Sequence, residues 1–94
     1  MAFSRDQAET FALQALAWLA ANDELLPVFM GATGAGMDDL RERATDPDFL
    51  ASVLDFLLMD DVWIVDACDA LSVPYETPQA ARAALPGGER MHWT

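Results

Sequence analysis

The segment 46–58 constrains this chain more than any other. Asp46-Pro47 opens it, a capping residue followed by proline at the first helical position, where the missing N–H has no bond to lose. Phe49, Leu50, Val53, Leu54, Phe56, Leu57 and Leu58 follow. On a helix over 47–59 these side chains wrap more than half of the circumference. A helix that is apolar nearly all round has to be enclosed on several sides. The rest of the chain must therefore be arranged around it.

Composition says what the surrounding elements are. Alanine and leucine number 29, whereas valine and isoleucine number 6. The first pair favours helix and the second favours strand. The expected fold class is all-α, one compact array of five or six short helices around the central apolar helix at 47–59. Ninety-four residues hold one core, so a single domain spans 1–94. Its ordered core should cover about 5–86, with 87–94 a flexible tail or one docked through Trp93.

Periodicity and capping place the other helices. The first covers 5–21, with Ser4 and Gln7 as a capping box. Ala8, Phe11, Ala12, Ala15, Leu16 and Leu19 form its apolar face, and Trp18 flanks it. The second covers 24–33, capped by Asp23, with Leu25, Leu26, Phe29 and Met30 inward and Gly34 as its left-handed stop. A short third helix covers 39–44, capped by Asp38, with Met37 in the loop before it. The fifth covers 61–72, capped by Asp60, with Ile64, Ala67, Cys68 and Leu71 as its stripe, and Val73-Pro74 ends it. The sixth covers 78–85, and Pro86-Gly87-Gly88 stops it.

The run from Asp46 to Leu58, together with Leu40-Arg41, Ala12-Leu13-Gln14-Ala15-Leu16 and Ala83-Ala84-Leu85-Pro86-Gly87, resembles the bacterial domain of unknown function 3572. The similarity extends from about Gln7 to Gly88. It implies a small bacterial helical protein and carries no catalytic residue across.

Charge narrows the function. Sixteen acids and five arginines, with no lysine, leave a net charge of −11. Such a chain is repelled by nucleic acid and by anionic membranes, so neither is expected as a partner. The longest apolar run, 15–21, is too short to span a bilayer. Asp6 and Glu9 stand where a secretory leader would carry positive charge. A lone cysteine, Cys68, excludes an internal disulfide and fits a reducing compartment, so the cytoplasm is the expected location.

Chemistry-bearing motifs read as structure. Most aspartates fall at expected caps or in first turns, where carboxylates accept backbone N–H bonds and complement the helix dipole. Asp46-x-Asp48 lacks the further ligands and the glycine of a calcium loop. Gly31, Gly34 and Gly36 follow a helix rather than a strand, and Asp38-Asp39 would repel a phosphate. Cys68 and His92 lack the neighbours that a nucleophile or a zinc site requires. No cofactor, metal or catalytic residue is expected.

The remaining signal is a surplus. Fifty-three per cent of the residues are hydrophobic, a large supply for a domain with so little interior. Apolar surface left outside marks an interaction face. The expected function is a non-enzymatic interaction or regulatory domain, joining an apolar helical face to an acidic rim. Its partner would be a basic protein or a second copy of the chain. Phe29, Met37, Val62 and Trp63 are the candidate contacts, and Asp60, Asp61 and Asp66 the candidate charges. Two other readings stand beside it. One is a ligand-binding protein or enzyme with an interhelical pocket around Asp55, whose burial would raise its pKa. The other is an acidic mimic of nucleic acid.

Overall fold

A computed structural model describes residues 3–85. The expected tail at 87–94 lies outside the described residues. Six helices follow one another: α1 (Arg5–Ala20), α2 (Leu26–Thr33), α3 (Met37–Glu42), α4 (Pro47–Leu57), α5 (Asp61–Leu71) and α6 (Thr77–Ala83). No strand occurs among the described residues. The array is all-α, as the alanine and leucine content requires.

The apolar cylinder of α4 is enclosed as its sequence demands. Phe49, Leu50, Ala51, Val53, Leu54, Phe56 and Leu57 are all buried. The helix packs against α1, α5 and α6. The structure adds a second hub, because α1 also packs against α4, α5 and α6. Its buried residues are Ala8, Phe11, Ala12, Ala15, Leu16 and Leu19, the six of its expected face. Three of them are alanines, which let neighbouring helices approach closely.

Aromatic contacts tie the outer helices to this centre. The Phe29 ring of α2 meets Phe56 edge to face at 5.3 Å and Phe49 at 6.1 Å. Trp63 of α5 stacks on Phe56 at 4.5 Å with the planes 18° apart. Arg43 lies 4.8 Å from the centre of the Phe49 ring, a cation–π contact at the rim of the core.

Helix ends agree with sequence where a side-chain cap decides them. Ser4 Oγ accepts from the Gln7 N–H at 3.1 Å, and Gln7 Oε1 accepts from the Ser4 N–H at 3.0 Å. Asp46 accepts from the Asp48 N–H at 3.0 Å, and Asp60 from the Val62 N–H at 2.9 Å. Gly34 ends α2 at φ +75° and donates to the Met30 carbonyl.

Two starts differ from expectation by two residues each, and α6 starts one residue early and ends at Ala83 rather than 85. Asn22, not Asp23, serves the turn before α2, accepting from the Glu24 and Leu25 N–H groups at 3.1 Å each. That turn occupies Asp23–Leu25, so α2 begins later, at Leu26. The third helix starts earlier, at Met37 after Gly36. Asp39 reaches back to the Gly36 N–H at 2.9 Å, the reciprocal half of a capping box. This arrangement draws the start toward residue 37, puts Asp38 in the first turn rather than at the cap, and brings Met37 into the helix.

Ser72 closes α5 in the left-handed region at φ 59°. Its N–H and that of Val73 both reach the Cys68 carbonyl, so the position works as a left-handed helix stop without a glycine. A side chain there costs about 1–2 kcal/mol, part of which glycine's extra unfolded-state freedom would offset. In urea denaturation, Ser72→Gly should therefore raise stability by up to about 1 kcal/mol. Asp46→Ala and Asp60→Ala should each lower it by about 1 kcal/mol through loss of the cap.

Candidate interaction groove

α4 ends at Leu57 because the chain must turn to reach α5. Leu58 still donates to the Leu54 carbonyl at 3.0 Å, and Met59 is then carried outside the helix. It is 71% exposed, more than any other large apolar residue described. Asp60 immediately restarts the chain as α5.

The turn opens a groove of about 730 Å³ between α4, α5 and α6. Leu58, Met59, Ile64 and Ala83 supply its apolar lining, and Asp55 and Asp61 its acids. Arg82 of α6 crosses to α4, where its Nε donates to Asp55 Oδ1 at 2.6 Å. The Arg82 side chain is only 12% exposed, whereas that of Asp55 is 49% exposed. The pair thus fixes one wall of the groove and joins residues 27 positions apart. Arg5–Glu9 and Arg43–Asp46 are local pairs by comparison.

The structure disperses part of the expected contact patch. Phe29 is fully buried and forms no surface, because the periodicity that marked it as apolar equally marked it as core. Met37 is 59% exposed but lines a separate groove of about 300 Å³ formed by α1 and α3, beside Leu13 and Arg41. Val62 and Trp63 do stand together at the start of α5. Val62 is 63% exposed, while Trp63 is partly buried against the core. Asp60 has its carboxylate engaged as the α5 cap. Asp61 lines the α4–α5–α6 groove, and Asp66 is exposed further along α5.

Leu58, Met59, Ile64, Gln79, Arg82 and Ala83 make up the remainder of the groove and were not singled out from sequence. Met59 carried a partial signal, being a large apolar residue next to the Asp60-Asp61 helix start. Arg82 carried none, since only the packing of α6 on α4 brings it to Asp55. The expected burial of Asp55 does not occur. It occupies the exposed side of an otherwise enclosed helix, which is where a carboxylate on α4 is tolerated.

Two titratable groups depart from ordinary behaviour. Burial pushes the Cys68 thiol up, with the Asp69 and Glu76 charges adding to it. Tyr75 donates from its hydroxyl to Asp69 Oδ1 at 2.8 Å, and this bond, with the Asp69 charge, raises its pKa. Neither group lines the groove. Among the described residues, no cluster of three or more His, Cys, Asp or Glu side chains could hold a metal ion. No helix of the described residues is long and apolar enough to cross a membrane.

The family described as Protein of unknown function (DUF3572) matches residues 5–88. The chain belongs to that family. No curated protein and no solved structure gives a significant match. The DUF3572 match runs from the first residue of α1 to beyond α6, so all six helices, and with them the whole lining of the groove, lie inside the family domain.

The Asp55–Arg82 pair should show a coupling of about 1 kcal/mol in a double-mutant cycle with Asp55→Ala and Arg82→Ala. That is the upper end for a partly exposed ion pair, as the buried guanidinium and the short bond require. Cys68 should resist iodoacetamide in the native protein at neutral pH, where its thiol stays protonated and enclosed. It should react fully once urea unfolds the chain.

Proposed function

We propose that this DUF3572 member is a non-enzymatic protein-interaction domain of the bacterial cytoplasm, and that the α4–α5–α6 groove is its docking surface. The observation that carries the reading is the exposure of Met59 beside Leu58, Ile64 and Ala83, with Asp61 and Asp55 at the edge. Removing Met59 and its neighbours from water would supply affinity, and methionine adapts its shape to varied partners. The acidic edge would select a basic partner and speed encounter. The fitting occupant is an amphipathic segment of a basic protein, laid into the groove by its apolar side. The buried lone thiol fits a reducing compartment.

The same groove supports a second reading, a small-ligand site, because its volume falls within the range of ligand pockets and Asp55 lines it. Asp55 is already engaged by Arg82, which favours a structural role for that carboxylate over a catalytic one. The nucleic-acid mimic is less well supported. Asp6, Asp38, Asp39, Asp46, Asp48, Asp60 and Asp61 lie at caps or in first turns of four different helices. That distribution follows helix geometry rather than the spacing of a phosphate backbone.

A designed amphipathic helical peptide, leucine on one face and arginine on the other, is a direct probe. Titrated against the full chain, it should bind with an affinity that falls at least tenfold in Met59→Arg and stays within twofold in Met37→Arg, whose side chain lies in the other groove. Equal binding by both variants would exclude the α4–α5–α6 groove. Saturable binding of small molecules there with no peptide binding would favour the ligand reading.

A further inference from the structure

We propose that two copies of this chain pair about a two-fold axis, α1 antiparallel to α1, with Leu13 beside the axis and Arg41 of each copy meeting Asp6 of the other. This face is separate from the α4–α5–α6 groove, and the inference does not rest on the reading of that groove.

The face is a trough along α1. One groove of about 280 Å³ runs beside Asp6, Glu9, Thr10 and Leu13. The α1–α3 groove of about 300 Å³ runs beside Leu13, Leu16, Ala17 and Ala20, with Met37 and Arg41 contributed by α3. Leu13 and Ala44 line both, so the two join into one trough that follows α1 from Asp6 to Ala20. Along it Asp6, Thr10, Leu13, Ala17 and Ala20 are all exposed. Their spacings alternate between four and three residues, which keeps one side of a helix turned toward a partner helix. Leu13 is 45% exposed and Met37 59%, so the trough holds two large apolar side chains left in water.

Charge selects the occupant. Asp6 and Glu9 stand in the N-terminal half of the trough, and Arg41 lines the other half. Arg5, Arg43 and Arg82 each pair with a carboxylate. Among the described residues, Arg41 is the one arginine without an ion-pair partner, and Asp6 has none either. A basic segment laid in the trough would meet Arg41, and an acidic one would meet Asp6 and Glu9. A second copy turned end for end satisfies both. Asp6 precedes Leu13 by seven residues, about 10 Å along a helix. With Leu13 at the axis, the second copy's Asp6 falls opposite Ala20, in the half that Arg41 lines. Parallel pairing would set acid against acid and arginine against arginine. A two-fold interface needs one patch that complements itself, and this trough does so in the antiparallel sense.

Each copy carries a net charge of −11. Repulsion between two such bodies is largely screened beyond about 8 Å at physiological salt, whereas the Arg41–Asp6 contacts form at closer range. A pairing confined to this strip buries under about 1,200 Å² in total, the size of weak, reversible associations. The trough shares no lining residue with the α4–α5–α6 groove, so the dimer carries two such grooves outside the contact.

Sedimentation velocity on the full chain from about 5 to about 500 μM tests this. Wild type should pass reversibly from monomer to dimer across that range. Leu13→Arg sets two cations at the axis and should weaken dimerisation at least tenfold. Val28→Arg makes the same charge change at an equally exposed apolar site on α2 and should stay within twofold of wild type. Arg41→Asp and Asp6→Arg should each be monomeric alone. An equimolar mixture of those two should recover the dimer, because the mixed pair matches an acid with an arginine at both contacts. Circular dichroism should show the same helix content in every variant, since all four positions are exposed. A wild type that stays monomeric at the highest concentration would overturn the proposal. So would a Leu13→Arg variant that dimerises like wild type, growth beyond the dimer, or a mixture that stays monomeric.

Discussion

Phe29, Phe56 and Trp63 form a chain of ring contacts that links α2, α4 and α5, and the placing of the two outer helices depends on it. Phe56 is the shared member, meeting Phe29 edge to face and Trp63 in a stack. Through it α2 and α5 are held to α4, although neither shares the broad α1–α4–α6 packing. Burying a phenylalanine is worth about 1.5–3 kcal/mol, and each ring pair adds about 0.5–1.5 kcal/mol. The ion pairs of this protein are partly or largely exposed, in the range of about 0–1 kcal/mol each. Apolar packing therefore decides the fold, and the charges are left to other work.

That work is largely helix termination. Asp46 and Asp60 satisfy backbone N–H groups at the starts of α4 and α5, Asp39 reaches back across the start of α3, and Asp6, Asp48 and Asp61 stand in first turns. Each placement is locally favourable. Their sum is a strongly negative surface in a protein with few bases to neutralise it. The acidic edge of the groove follows from this arrangement, because Asp61 is there to start α5. An interface property thus grows out of a folding device.

The groove has a similar origin. α4 is apolar almost to its end, yet the chain must leave it to form α5. The turn at Leu58 and Met59 is left uncovered by the helices of the described residues, and Met59 stays exposed. Phe29 shows the opposite outcome for the same kind of residue. It is as apolar as Met59 and sits on a helix with fewer partners, but the facing rings of Phe49 and Phe56 enclose it. Which large side chain stays outside depends on who stands opposite, and a one-dimensional pattern contains no such information. This is why Phe29 and Met37 were expected in one patch with Val62 and Trp63, and why the structure separates them.

Local physics settled a great deal from sequence alone. The helical class, the inward face of α1, the burial of the apolar residues of α4, the Ser4–Gln7 box and the Asp46 and Asp60 caps all follow from residue spacings of about four positions or fewer, where backbone geometry leaves little choice. The starts of α2 and α3 moved where a neighbouring side chain took the terminal hydrogen bonds, as at Asn22 beside Asp23 and Asp39 beside Asp38. Tertiary structure alone decided the meeting of Arg82 with Asp55, the chain of aromatic contacts, the second hub at α1 and the groove at Met59. Each joins helices that are distant along the chain, and their relative placement is set by the joint packing of many side chains rather than by any one segment's preference.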